Sequence, residues 1–106
     1  MIISYKSVKV TEPAPGITRR VLANSASLML AEHTLEKDAI LPAHSHPHGQ
    51  LVYLLSGKLA VEMGDERFTA VQGDSFVIAP DIEHRVTCLE RAVALDIFTP
   101  ARTDYL

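Results

Sequence analysis

Residues 44–50, His-Ser-His-Pro-His-Gly-Gln, carry side chains that bind transition metals. On a β-strand, His44 and His46 would point to the same face with their backbones about 7 Å apart, because each residue rises about 3.3 Å. Imidazoles at that separation can converge on one ion at about 2.0–2.2 Å from each nitrogen. The proline and glycine that follow turn the chain, so we expect Gln50 to begin the neighbouring strand and to offer a carboxamide oxygen to the same ion.

A remaining ligand must come from elsewhere in the chain, and His84 is the distant histidine preceded by its own turn, residues 80–83. We therefore predict one divalent transition-metal ion, held by His44, His46, Gln50 and His84. Such nitrogen and oxygen ligands accept Ni, Mn, Fe, Zn, Co or Cu, and the sequence does not choose among these metals. We interpret His48 as lying beside the ligands or facing solvent, with direct ligation as the alternative, and His33 as structural. The alternative for a single histidine on a strand is a surface or hydrogen-bonded role.

The elements that would position these side chains are short β-strands. Turn-forming Gly, Pro, Asn and Asp recur at close intervals, and runs of about five to eight residues lie between them. Several runs alternate with period two, for example residues 59–63 and 93–98. Only residues 28–37 have a composition that a helix would also accept. The pattern predicts an all-β fold, either a closed barrel or a sandwich, and a barrel would offer a cavity at its mouth.

The composition limits the domain organisation and the partners. The chain has 106 residues and a formal charge of −3, which suits a single domain spanning residues 1–106. Its only adjacent basic pair is Arg19-Arg20, so we expect no nucleic-acid partner. We also expect no membrane partner and no signal peptide, because no apolar stretch is long enough for either. The single cysteine, Cys88, excludes an internal disulfide and is compatible with a cytoplasmic location.

Two motifs within residues 38–88 resemble those of the cupins, the double-stranded β-helix or jelly-roll family. The cupin motifs are G-x5-HxH-x3/4-E-x6-G and G-x5-PxG-x2-H-x3-N. The matching positions are His44, His46, Gly57, Gly73 and His84, and the departures are Asp38, Gln50, Ala79, Asp81 and Cys88. Asp can replace the opening glycine, because Asp adopts the left-handed conformation more readily than most residues. The resemblance implies a small single-domain cupin with a jelly-roll barrel.

Glutamine at the position of the cupin glutamate changes the charge of the predicted site. Three neutral imidazoles and a carboxylate would leave a divalent ion with a net charge of about +1, whereas a carboxamide leaves about +2. We expect Gln50 to weaken metal affinity while making the ion a stronger Lewis acid and a better attractor of anions. The alternative is a cupin that has lost its metal.

A narrower resemblance links the chain to the pectin-degradation cupins of the KdgF type. It rests on residues 17–23, 44–50 and 95–102. It implies a metal held by three histidines and a glutamine, and conversion of 4,5-unsaturated monouronates from pectin or alginate into linear keto acids. It also implies a catalytic pocket formed by Asp96, Phe98 and Arg102.

The residues themselves agree with these implied roles. Asp96 and Phe98 share one face of the last strand, opposite an apolar face. If the apolar face points outward, Asp96 faces the cavity, where a carboxylate can act as general acid or base. Arg102 could bind the carboxylate of a small anionic substrate, a sugar acid, in bidentate fashion. The plainer alternatives are a solvated aspartate, a core phenylalanine and an unpaired arginine.

Three functions remain open from the sequence. We favour a metal-dependent enzyme that opens or tautomerises an unsaturated uronate. A second possibility is an oxygen-dependent cupin dioxygenase, similar to quercetinase, that acts on a flavonol or diketone. The third is a non-catalytic cupin that binds a sugar or small acid. Because cupins commonly pair through a sheet edge or face, the resemblance also implies a homodimer.

Overall fold

The computed structural model describes residues 1–106, and β-strands account for most of them. The strands are β1 (Val10–Ala14), β2 (Ile17–Asn24), β3 (Met29–Leu35), β4 (Ile40–His44), β5 (Gly49–Met63), β6 (Glu66–Val71), β7 (Ser75–Ile78) and β8 (His84–Thr99). Two short 3-10 helices, Tyr5–Ser7 and Thr103–Tyr105, lie outside the strands. No helix has the length and apolarity that crossing a membrane requires.

All strands belong to one antiparallel sheet. Its hydrogen-bonded path runs β1-β2-β3-β8-β5-β6, with β4 paired to β8 and β7 paired to β5. This architecture confirms the predicted all-β cupin fold, the jelly-roll form of the double-stranded β-helix. Of the closed barrel and the sandwich that the strand pattern left open, the hydrogen bonds do not close a barrel, because β1 and β6 end the path and each pairs with a single neighbour. Residues 28–37 contain β3, which is paired on both sides, by β2 and β8, and is therefore held as a strand.

The two longest strands, β5 and β8, pair with each other along most of their lengths. Residues 49–56 of β5 pair with residues 93–99 of β8, and residues 58–63 pair with residues 84–90. Gly57 lies where the register shifts. Its φ is +89°, and a Cβ there would lie 2.2 Å from the carbonyl oxygen of Arg91, so no side chain fits. His84 and Asp96, on the two paired halves of β8, both line the cavity.

Alternation along the second half of β8 separates an inner face from an outer one. Asp96 and Phe98 are buried on the inner face, together with Ala92 and Ala94. Leu95 and Ile97 point outward, as the sequence predicts. Two apolar clusters fill the interior. The larger has twelve buried residues, and the smaller consists of Met29, Ala31, Phe98 and Ala101.

Two aspartates replace glycines of the cupin motifs without disturbing the backbone. Asp38 and Asp81 have φ values of +72° and +65°, in the left-handed region that a motif glycine would occupy. The tolerance expected for Asp38 is therefore confirmed, and Asp81 behaves in the same way. The amide of Asp38 donates to the carbonyl oxygen of Cys88 at 2.8 Å, and the amide of Asp81 donates to that of His46 at 2.8 Å. These bonds tie the two motif turns to the strands and loops that carry the histidines.

Cys88 is buried in the larger apolar cluster, with its side chain fully covered. Its Sγ lies 3.0 Å from the carbonyl oxygen of Glu90 and 3.4 Å from that of Leu35, and donates to these acceptors. Burial raises the pKa of the thiol. Cys88 thus belongs to the packed interior.

Candidate metal centre and cavity

The structure brings together the three histidines predicted as metal ligands. One ring nitrogen from each of His44, His46 and His84 lies within 4.8 Å of the other two. His44 ends β4 and His84 begins β8, and the two residues pair in register. The expectation that His44 and His46 share a strand is wrong, because β4 ends at His44 and His46 lies in the following loop. Pro47 has no N–H with which to extend the ladder.

Each of these imidazoles is oriented by a backbone carbonyl close to it in sequence. The Nδ1 atom of His44 lies 2.9 Å from the carbonyl oxygen of Pro42, and that of His84 lies 2.9 Å from the carbonyl oxygen of Ile82. Nδ1 of His46 lies 3.1 Å from the carbonyl oxygen of His48. A carbonyl only accepts, so Nδ1 donates in all three rings and Nε2 keeps its lone pair.

Burial keeps two of the rings neutral. It lowers the pKa of His46, with a further contribution from the charge of Arg102, and it lowers the pKa of His84. Neutral imidazoles with Nδ1 bonded to an acceptor are the form in which histidine binds metals. The donor set therefore fits a divalent transition-metal ion.

Gln50, near the start of β5 as predicted, connects this cluster to Asp96. Its Nε2 donates to Oδ1 of Asp96 at 2.8 Å, and its Oε1 lies 3.0 Å from Nε2 of His46. Two acceptor atoms therefore face each other, because the proton of His46 is on Nδ1. A divalent ion held by both atoms would remove that conflict.

Asp96 is buried, faces the cavity and is held by two partners. Its Oδ1 accepts from Gln50, and its Oδ2 lies 2.6 Å from Nδ1 of His33. Nε of Arg19 in turn donates to Nε2 of His33 at 3.0 Å. The interpretation of His33 as structural missed its contact with Asp96, and Arg19 was noted as one of a basic pair, without a role at the site. Arg19 could have been found from the alternation of β2. It lies two residues after the apolar Ile17, so both side chains are on the inner face of the strand.

Arg102 lies at the end of the cavity that Asp96 faces. It is only 8% exposed, and its Nε and Nη2 donate to the carboxylate of Asp104 at 3.0 and 2.8 Å. Its Nη1 is buried without a partner. The guanidinium groups of Arg102 and Arg19 lie 4.3 and 3.4 Å from the centre of the Tyr105 ring. Two guanidinium groups and the carboxylates of Asp96 and Asp104 therefore lie at the same cavity, and one guanidinium donor is unsatisfied.

The other two sequence-selected residues lie next to this group. Phe98 is 1% exposed and is not among the residues that line the cavity. Its ring packs edge-on against His46, with centroids 5.9 Å apart, and it lies 5.2 Å below the guanidinium of Arg102. His48 is half-buried, and its Nδ1 has no hydrogen-bond partner. All the residues selected from the sequence thus lie in one region, with Phe98 behind the cavity wall.

The cavity at this site has a volume of about 460 Å³, a size typical of small-molecule sites. Its polar wall contains His33, His44, Gln50, His84, Asp96 and Arg102. Its apolar floor contains Ile17, Leu35, Val52, Leu59, Ile78 and Val86. A polar wall with an unsatisfied guanidinium donor, above an apolar floor, suits a small anionic ligand.

The fold and the histidine cluster define the class of protein. The cupin domain profile matches residues 31–98, so the chain belongs to the cupin family. It is 32% identical to the pectin degradation protein KdgF of Dickeya dadantii (strain 3937) over 97 residues, covering 90% of this chain and 88% of that protein.

Solved structures give a similar result. KdgF from Halomonas sp. superimposes with a TM-score of 0.93 at 28% identity, covering 100% of this chain and 98% of that one. An RmlC-like cupin from Shewanella frigidimarina NCIMB 400 superimposes with a TM-score of 0.91 at 26% identity, covering 100% of both chains.

Proposed function

We propose that this cupin is an enzyme that converts 4,5-unsaturated monouronates into linear keto acids. A divalent transition-metal ion would be held by His44, His46, His84 and Gln50. The observation that carries the proposal is the unpartnered Nη1 of Arg102, buried beside the cavity that His44, His84 and Asp96 also line. An anionic substrate would satisfy that donor. The relatives named KdgF, one of them a pectin degradation protein, support a sugar acid as the anion.

The reaction is an isomerisation, and its atoms balance without a co-reactant. The anomeric hydroxyl loses its proton, the ring C–O bond to the anomeric carbon breaks, and C4 gains a proton as the C5 oxygen becomes a ketone. A bound divalent ion would supply a Lewis acid that stabilises negative charge on the ring oxygen. The protein must bind the carboxylate and move one proton.

Arg102 and Asp96 suit these two tasks. Nη1 of Arg102 would donate to the substrate carboxylate while Asp104 holds the rest of the guanidinium in place. Asp96 would take the hydroxyl proton and return a proton to C4, because each carboxylate oxygen has a lone pair left beyond its bond to Gln50 or His33. Phe98 would act from behind the wall, by supporting His46 and Arg102.

The test combines metal analysis with turnover. Purified protein should contain or bind one divalent ion and should remove the ultraviolet absorbance of a 4,5-unsaturated monouronate as the keto acid forms. At saturating metal, Arg102→Ala should lower kcat/KM about 100-fold, because it removes a buried charged donor, and Asp96→Ala should also lose turnover. Arg67→Ala, at an exposed position on β6, is the matched control. Normal turnover in both site variants would contradict the assigned roles.

The other two functions opened by the sequence are outcomes of the same assay. Oxygen consumption with a flavonol or diketone, supported by a redox-active ion, would assign the chain to the dioxygenases. Binding of a uronate without turnover would make it a non-catalytic sugar-acid-binding cupin. Either result would replace the proposed reaction.

We also propose a homodimer formed through the outer sheet face. Leu51 pairs with Val77 on one side and Ile97 on the other, and Tyr53 follows Leu51 on the same face of β5. These four side chains are 43% to 60% exposed. An uncharged apolar strip matches a second copy of itself across a two-fold axis. Sedimentation at about 100 µM should give a dimer that Leu51→Glu dissociates, and a monomeric wild-type protein would contradict the proposed dimer.

A cytoplasmic location stays a prediction.

A further inference from the structure

Four side chains from four strands form one continuous hydrogen-bonded chain. Arg19 on β2 contacts His33 on β3, His33 contacts Asp96 on β8, and Asp96 contacts Gln50 on β5. The three distances are 3.0, 2.6 and 2.8 Å. Each link is fixed in direction by the chemistry of its donor. Arg19 Nε can only donate, so Nε2 of His33 accepts and the proton of His33 is on Nδ1.

The direction of these bonds determines the orientation of the Gln50 amide. His33 donates from Nδ1 to Asp96 Oδ2, which leaves the carboxylate as an acceptor on its other oxygen. The NH2 group of Gln50 must then face Asp96, and Oε1 must face the histidine cluster. The opposite amide orientation would set its oxygen against a carboxylate oxygen at 2.8 Å.

We propose that Arg19 and His33 are positioning residues, which act through Asp96 to keep Oε1 of Gln50 facing the three-histidine cluster. The inference rests on the metal centre of the proposed function, and it assigns roles to two residues that do not contact the ion. It also explains the glutamine at this position. A glutamate would face Asp96 as a second carboxyl group, and the two could stay at hydrogen-bond distance only by sharing a proton.

The first test removes the donor of His33 and then restores it. His33→Leu should weaken Co²⁺ binding, measured by titration calorimetry, by about 10- to 100-fold, the usual effect of losing a partner outside the ligands. His33→Asn places an amide N–H near the position of Nδ1 and should bind Co²⁺ within about three-fold of wild type. The visible Co²⁺ spectrum should change in His33→Leu and be restored in His33→Asn.

The second test reverses the polarity of the Gln50–Asp96 contact. In the wild-type background, Asp96→Asn should weaken Co²⁺ binding, because the new NH2 group faces a donor from either Gln50 or His33. In the Gln50→Glu background, the same change should strengthen Co²⁺ binding, because the introduced amide can donate to the introduced carboxylate and still accept from His33. Asp96→Asn should therefore change Co²⁺ affinity in opposite directions in the wild-type and Gln50→Glu backgrounds. Arg19→Gln, which removes the Nε donor to His33, should also weaken Co²⁺ binding. Arg20→Gln, next to Arg19 but on the outer face of β2, is its control.

The outcomes separate this inference from the proposed function. Wild-type affinity and an unchanged spectrum in His33→Leu, or no change of sign in the second test, would overturn the inference while leaving the metal centre intact. A wild-type chain that binds no Co²⁺ would contradict the proposed function. If the chain binds no Co²⁺, the inference is tested by the ¹⁵N resonances of His33 in the metal-free protein, which report which ring nitrogen carries the proton. A protonated Nδ1 with an unprotonated Nε2 supports it, and the reverse tautomer overturns it.

Discussion

Two groups of polar residues at or behind the cavity wall are oriented by different kinds of contact. In the histidine side, made of His44, His46 and His84, each ring bonds to a carbonyl two residues away in the chain. In the carboxylate side, made of Arg19, His33, Gln50 and Asp96, the bonds join residues 14, 63 and 46 positions apart. The histidine rings thus depend on short segments, and the carboxylate side depends on strand pairing.

The difference predicts which perturbations each side tolerates. A local carbonyl orients its imidazole wherever the segment folds correctly, so distant packing changes should leave the histidine side in place. The carboxylate side needs four strands in register at once, because a shift of one residue moves a side chain to the other face of the sheet. Substitutions that separate the two sides test this comparison.

The largest effect is expected for the loss of a ligand. His84→Ala should weaken binding of a divalent ion by more than about 100-fold, as measured by calorimetry and metal analysis. Loss of a residue that only supports a ligand weakens metal binding by about 10- to 100-fold, so loss of a ligand should exceed that. His48→Ala is the matched control, because it keeps the backbone carbonyl that accepts from His46. An effect of His48→Ala equal to that of His84→Ala would show that the carbonyl contact is not what orients His46.

A smaller effect is expected for Phe98, which packs against His46 and Arg102. Phe98→Leu removes ring volume from the smaller apolar cluster and should lower the free energy of unfolding of the metal-free protein by about 1–2 kcal/mol, measured by urea denaturation. Metal affinity should stay within about three-fold, since the His48 carbonyl still orients His46. A loss of affinity as large as that in His84→Ala would contradict the local orientation of the histidine side.

The smallest effect is a pH dependence of stability in the metal-free protein. The pKa values of His46 and His84 are lowered by burial in the folded chain, whereas an unfolded imidazole has a pKa of about 6.5. Between these values the unfolded chain binds more protons, so stability falls as pH decreases below about 6.5. The urea midpoint should be lower at pH 5.5 than at pH 7.5, and less so in His84→Ala. A midpoint that rises on acidification would contradict the assignment.

The same contrast explains how far the sequence could be interpreted. The histidine side was predictable, because two of its members lie two residues apart and the third follows its own turn. The period-two runs also predicted the strands and the inward direction of Asp96. The pairing of Arg19 with His33 and of His33 with Asp96 could not be derived, because alternation fixes the face of a strand and not its register. The sequence also could not show that β4 ends before His46. The loop after β4 contains Pro47, and the carbonyl of His46 accepts from the amide of Asp81, which is far away in the sequence.

The buried thiol described above makes the opening of the sheet measurable. Cys88 is fully covered between β8 and its neighbours, and burial raises its pKa, so an alkylating reagent in solvent meets neither an accessible sulfur nor a thiolate. Modification requires β8 to separate from the strands beside it. Because Cys88 is the chain's single cysteine, the labelling rate reports how often that separation occurs, with no probe added to the protein. A bound metal ion that links β4 to β8 should slow the labelling.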